Sequence, residues 1–171
     1  MTPERQVFNE EVLPKFALEY VKDNDVIVDI GKPNDGWGYN KLFNKAKYLT
    51  LDRNPELKPD IVMDLEWIEE YKQYIHYANC IIAHGVWEQC NNPFELYDGI
   101  VTLLKPKGYG LLGIMLSGFP LVQDLDLFRF TEQGVHRLLK DDKIEYTKIC
   151  YRDSVPSYAY VIIKNEPSFL E

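Results

Sequence analysis

The sequence predicts an α/β fold in which a mostly parallel sheet is covered by helices on both faces, and three observations carry that expectation. Five short apolar runs punctuate residues 25–116: "DVIVDI", "AKYLTLD", "DIVMD", "NCIIAH" and "GYGLLGIML". Four of them are nearly continuous rather than alternating, as strands buried on both faces are. The stretches between them, "WGYNKLFNK", "EWIEEYKQYIH" and "NPFELYDGIVTLLK", space their residues for helices, so strand and helix alternate.

Taken in order, the first 22 residues predict a helix ahead of the first strand, with Pro3 at its start and Val7, Val12, Phe16 and Tyr20 available for burial. Pro14 must break or kink it. "DVIVDI" (25–30) is the first strand, "AKYLTLD" (46–52) the second, "DIVMD" (60–64) the third and "NCIIAH" (79–84) the fourth. Pro93 opens the helix that follows, "KPKG" closes it, and "GYGLLGIML" (108–116) is the fifth strand. A helix over "TEQGVHRLLKDD" precedes "KIEYTKICYRD" and "SYAYVIIKN", two strands separated only by "SVPS". With no room for a crossover helix, those two pair antiparallel at one edge.

At 171 residues the chain is most economically one domain, a helix over residues 1–22 and a core over 23–164. Nineteen Lys and Arg against 27 Asp and Glu give a formal charge of −8, which disfavours nucleic acid as a partner. Lys41, Lys45 and Lys47 form a local basic group, best read as a solvated helix face. Cys80, Cys90 and Cys150 are odd in number and lack zinc-ligand spacing, so no metal site and no disulfide framework is expected. The N-terminus lacks a signal peptide's basic start and apolar core, and no apolar run is long enough to span a membrane, so a cytoplasmic location is expected.

In an open parallel α/β sheet, ligands bind outside the carboxyl ends of the strands where the strand order reverses. The turn after "VIVDI" stands at such a place, and Gly31, Gly36 and Gly38 let its backbone turn tightly and approach a ligand closely. The dinucleotide fingerprint Gly-x-Gly-x-x-Gly is absent, and Trp37 stands where a phosphate-binding loop requires lysine. Asp52 ends the second strand 21 positions beyond Gly31, where an acidic residue accepts hydrogen bonds from ribose hydroxyls. Asp64 closes the third strand, so Asp29, Asp52 and Asp64 line one crevice. Each alone also suits a helix cap or a turn, whereas the three together suit a nucleoside-bearing cofactor.

Aligned on those positions, residues 22–164 resemble the class I S-adenosylmethionine-dependent methyltransferases of the type 11 kind. "VIVDIGKPNDGWG" resembles the family's first motif and "YLTLDRNPELKPDIVMDLE" its second and third strands. "IIAHGVWEQCNNPFELYDGIVTLLKPKGYGLL" resembles the fourth strand, helix and "LKPGG" turn, and "FRFTEQGVHRLLKDD" the later Arg-Phe-Thr helix. The resemblance implies a Rossmann-like three-layer sandwich with seven strands, the last antiparallel, and S-adenosylmethionine as cofactor. It implies that Asp29 orients the methionine end, that Gly31 and Gly36 pass beneath the cofactor, that Asp52 holds the ribose, and that Asp64 and the Leu65 backbone meet the adenine. It places His84 facing the sulfonium. Lys32, Pro33, Asn34 and Asp35 depart from the family's Gly-x-Gly, and Gln89 from its Glu-His pair.

His84 is the candidate general base, being a strand-end histidine that titrates near neutrality, or it is a packed strand terminus. Glu88 binds substrate or the methionine amine, or simply begins a helix. Trp37 and Trp87 wall the pocket or pack the core. Arg129, between Phe128 and Phe130, meets an acidic acceptor or pins its own loop. The expected activity is methyl transfer to a small-molecule or glycan-type acceptor. Two other hypotheses stand beside it: a catalytically silent member of this fold used as a binding or assembly module, and a nicotinamide-dependent oxidoreductase.

Overall fold

The computed structural model describes residues 2–31, 39–117, 125–140 and 143–166. Its strands are β1 (Val26–Ile30), β2 (Lys47–Asp52), β3 (Ile61–Val62), β4 (Ala78–His84), β5 (Leu104–Met115), β6 (Ile144–Arg152) and β7 (Val155–Lys164). They form one seven-stranded sheet in the order β3-β2-β1-β4-β5-β7-β6. Strands β1 to β5 pair in parallel, while β7 runs antiparallel to both β5 and β6. The expected hairpin is therefore present, with β7 inserted beside β5 and only β6 left at the edge. Strand order reverses between β1 and β4, which opens a crevice above their carboxyl ends.

Successive residues on a strand point to opposite faces, and the two core layers follow from that. Ile27 of β1, Cys80 and Ile82 of β4 and Leu111 of β5 face a leading helical segment through Phe8, Val12, Leu13 and Phe16. That segment is α1 (Pro3–Val7), a π-helical turn over Phe8–Val12, and α2 (Leu13–Glu19). Pro14 does not break it. The π turn shifts the hydrogen-bond ladder so that the Leu13 N–H donates to the Phe8 carbonyl, and the proline sits in the first turn of α2, where its missing N–H is tolerated. On the opposite face Val28, Ile81, Ala83, Leu112 and Val161 pack with Leu96, Ile100 and Leu103 of α3 (Pro93–Leu103) and Val135 and Leu138 of α4 (Glu132–Leu139).

Local chemistry sets the ends of α3. Asn92 caps its start, its side chain accepting from the N–H of Phe94 at 3.0 Å and of Glu95 at 3.4 Å, with Pro93 in the first turn. At the other end the buried Asn165 Nδ2 donates at 3.0–3.2 Å to the carbonyl of Val101, in the last turn where the helix supplies no partner, and to those of Leu104 and Lys105 just beyond it.

One expected helix is absent. "EWIEEYKQYIH" forms two 3-10 turns, Leu65–Glu70 and Lys72–Tyr74, parted at Tyr71 (φ −116°, ψ 53°). The cause is tertiary: the Glu66 carboxylate, 4% exposed, accepts the backbone N–H groups of Asn91 and Asn92, which pins this turn to the loop after β4. The described part of "WGYNKLFNK" is likewise a 3-10 turn, Tyr39–Phe43. Lys41 lies on that turn, Lys45 pairs with Asp23 at 3.4 Å and Lys47 opens β2, so the three do not share one helix face. Among the described residues no helix is long and apolar enough to cross a membrane.

Candidate functional site

The crevice above the strand ends is a cleft of about 660 Å³, within the roughly 300–1,000 Å³ usual for small-molecule sites. Ile30 of β1 and Gly31 after it reach into it, Asp52 and Arg53 come from the end of β2, Asp64 and Leu65 from the turn after β3, and His84, Gly85, Val86, Glu88 and Gln89 from β4 and its loop. Met115 of β5, Ser117 just beyond it, and Ser157, Tyr158 and Tyr160 of β7 form the other end, under Thr2, Glu4 and Arg5 at the start of the leading helix.

Gly31 is required where it stands. Its φ of +78° lies in the left-handed region, and a Cβ there would come within 2.4 Å of Val86 Cγ1. The chain thus leaves β1 in a conformation that keeps the backbone close to the β4 loop. Gly36, Gly38 and Trp37 of the same turn, and Lys32, Pro33, Asn34 and Asp35, lie outside the described residues.

At the β2 end, Asp52 closes an Asx turn by accepting the Asn54 N–H at 2.8 Å. Asp64 does the same for the Glu66 N–H at 3.1 Å while its other oxygen lies 3.9 Å from Arg53 Nη1. Arg53 also donates from Nη2 to the Gln89 carbonyl at 2.9 Å, so it spans from β2 to the β4 loop. The Leu65 backbone is fixed from behind, because α3 packs against it so closely that a Cβ on Gly99 would lie 2.1 Å from the Leu65 carbonyl oxygen.

Asp29 does not join the other two acids. Strand alternation turns it, with Ile27, toward the leading helical layer. There it is 5% exposed and takes a short hydrogen bond from the Tyr48 hydroxyl. Burial pushes its carboxyl up and the tyrosine bond pulls it back only in part, leaving a value of about 7.

His84 lies in the same layer as Asp29, stacked on Phe8 with ring centroids 4.4 Å apart and planes 5° apart, beside Tyr158 and Tyr160. Burial, reinforced by the positive charge of Arg5, pushes it down to about 3. The expected near-neutral titration is absent, and an imidazole of that basicity is a poor proton acceptor at physiological pH.

Glu88 is 1% exposed at the floor of the cleft. Its Oε1 accepts the Met115 N–H at 3.1 Å, while Oε2 is buried and meets no hydrogen-bond donor among the described residues. Burial raises its carboxyl, with backbone hydrogen bonds and Arg129 opposing. Arg129 forms a bidentate pair with Asp126 and donates to the Phe128 carbonyl at 2.8 Å, so it pins its own loop and does not line the cleft. Trp87 is fully buried in the core. The three cysteines are free and buried, and burial pushes Cys80 and Cys90 up to about 12, which leaves them unreactive thiols.

The roof of the cleft was not legible in the sequence. Arg152 donates to both carboxylate oxygens of Glu4, at 3.0 and 2.7 Å, and the Tyr160 hydroxyl donates to the Glu4 carbonyl at 3.0 Å. Burial, the largest single influence, would raise the Glu4 carboxyl, but hydrogen bonds from Arg152, its own backbone, Ser157 and Thr2 together outweigh it and hold it near 2. The nearest signal was an acidic residue on an otherwise apolar helix face; its partner lies 148 positions away.

Neither a protein-family model nor a curated protein sequence matches the chain. Solved structures do. A SAM-dependent methyltransferase from Methanosarcina mazei matches with a TM-score of 0.65 at 14% identity, over 86% of this chain and 95% of that one. The N-methyltransferase NodS from Bradyrhizobium japonicum WM9, solved with S-adenosyl-L-homocysteine, matches with a TM-score of 0.67 at 14% identity over 96% and 88%. The Burkholderia thailandensis 1,6-didemethyltoxoflavin-N1-methyltransferase, solved with 1,6-didemethyltoxoflavin and S-adenosylhomocysteine, gives 0.63 at 14% identity over 96% and 83%. The chain has the class I methyltransferase fold.

Proposed function

We propose that this protein binds S-adenosylmethionine in the cleft and methylates a small-molecule acceptor. The observation that supports the reading best is the convergence of Gly31, Asp52, Asp64 and Leu65 on one cleft at the strand-order reversal. The cradle at Gly31, which any side chain would close against Val86, fits a ligand that must lie along the backbone. Asp52 would hold the ribose hydroxyls, and Asp64 with the Leu65 backbone would receive the adenine edge. Asp29 acts one layer back, by holding β1 to β2 through Tyr48. The cofactor, when bound, supplies the transferable methyl group. The chain's own contribution is alignment and the exclusion of water, which the leading helix provides as a roof tied to β6 and β7.

One solved neighbour, named for and bound to 1,6-didemethyltoxoflavin, favours a small acceptor over a macromolecular one. A glycan-type acceptor belongs to the same class of polar small ligand, and the acidic net charge argues against nucleic acid. Three buried free thiols suit a reducing compartment, which favours the cytoplasm. Calorimetric titration with S-adenosylmethionine and with S-adenosylhomocysteine tests the reading. Micromolar binding that Asp52→Ala weakens by about ten-fold or more supports it, that factor being the loss of a charge-assisted hydrogen bond. Absence of binding at millimolar ligand leaves a silent member of the fold.

A further inference from the structure

A buried carboxylate oxygen with no partner is an expensive arrangement, because desolvation of the group is uncompensated until something donates to it. Glu88 Oε2 is such an atom. Its sister oxygen is held by the Met115 N–H, which fixes the carboxyl plane between the β4 loop and the end of β5. Leu127 clamps the same residue from its backbone side, donating to the Glu88 carbonyl at 2.7 Å. The side chain is therefore positioned by the fold rather than free to find water.

We infer that Glu88 Oε2 is the docking point for the methyl acceptor, and that the acceptor presents an N–H group there: its nucleophile is an amine rather than a carboxylate or phosphate. The inference rests on the cofactor reading above, and it deepens that reading by naming the chemical class of the second substrate. Hydrogen bonding supports the class. Arg129, the cation whose charge acts on Glu88, is held by both oxygens of Asp126 and is committed to its own loop. An acceptor N–H satisfies the orphaned oxygen, whereas a carboxylate or phosphate without a hydrogen offers it no donor. Tyr158, also buried, lines the same cleft and adds a hydroxyl to it without adding charge.

Sinefungin tests this without an identified acceptor, because it carries an amine where S-adenosylmethionine carries its transferable methyl, and S-adenosylhomocysteine carries nothing there. Calorimetric affinities of both ligands should be measured for the wild-type protein and for Glu88→Gln. The expected result is that sinefungin binds at least about ten-fold more tightly than S-adenosylhomocysteine to the wild type, and that Glu88→Gln abolishes the preference while leaving S-adenosylhomocysteine affinity intact. Retained S-adenosylhomocysteine binding also certifies that the variant is folded. A preference that survives in Glu88→Gln, or no preference in the wild type, overturns the inference and leaves the cofactor reading standing. Equal weakening of both ligands assigns Glu88 to the methionine end and overturns it too. Failure of both ligands to bind the wild type removes the cofactor reading, and this inference with it.

Discussion

Replacing Gly31 by alanine separates two physical reasons for a glycine at the mouth of the cleft. The first is backbone conformation, since φ is +78° and a Cβ in the left-handed region costs about 1–2 kcal/mol. The second is contact: the new Cβ would stand 2.4 Å from Val86 Cγ1, against an ordinary contact of 3.4–4 Å. Relieving it requires Val86 to leave its rotamer, at roughly 0.5–1.5 kcal/mol. Together Gly31→Ala should destabilise the protein by about 1.5–3.5 kcal/mol, a fall in Tm of roughly 3–14 °C for a chain of this size. Val86→Ala removes the clashing methyl. In that background the cost of Gly31→Ala should fall by about 0.5–1.5 kcal/mol and keep only its backbone component. Urea denaturation of the four proteins in this cycle, at fixed pH, measures both. Equal cost in the two backgrounds would refute the close approach, and a neutral Gly31→Ala would refute the conformation itself.

Asp29 and Glu4 predict opposite responses to acid. The folded Asp29 carboxyl lies near 7 against an ordinary 3.8, so the native state holds a proton that the unfolded chain releases between those values. Stability therefore falls as pH rises from about 4 to about 7, by up to roughly 4 kcal/mol at about 1.4 kcal/mol per pH unit. Asp29→Asn should flatten that slope in denaturation curves across the window. Glu4 is held near 2 against 4.5, so its contribution is complete above about 4.5 and is lost as pH falls toward 2; Glu4→Gln should abolish that acid-limb loss in the same curves. Asn165→Ala removes the side-chain donor to the carbonyls of Val101, Leu104 and Lys105, of which Leu104 retains His76 Nδ1 at 3.0 Å, and should lower stability by about 2 kcal/mol, read from the denaturation midpoint.

The strands of the sheet were legible because their apolar runs are dictated by burial on both faces, a property of each segment by itself. So were Asp52 and Asp64, which a strand end must carry to the crevice whatever surrounds it. Asp29 was misplaced because its surroundings depend on the β1–β2 register, which brings Tyr48 onto the same face. Nothing in either strand alone announces that pairing. The two readings of His84 could not be separated in the sequence for the same reason: its basicity is set by Phe8, Tyr158 and Arg5, which arrive from other parts of the chain. The turn at residues 65–74 had helical spacing, but Glu66 found better partners in the backbone of the β4 loop, and local preference yielded to that contact.

The pairing of Glu4 with Arg152 sets an order of events during synthesis. Closing a contact across 148 positions opposes about 4 kcal/mol of chain entropy, which this ion pair alone cannot supply. The sheet must form first and bring the two ends within reach. On a ribosome the strands around β1 and β4 emerge early, with their acidic ends exposed to solvent, while Glu4 at the start of the leading helix waits for β6 and β7 before its contacts can close. The binding cleft is thus the last part of the molecule to be completed, and a nascent chain arrested before residue 152 would have the floor of the site without its ceiling.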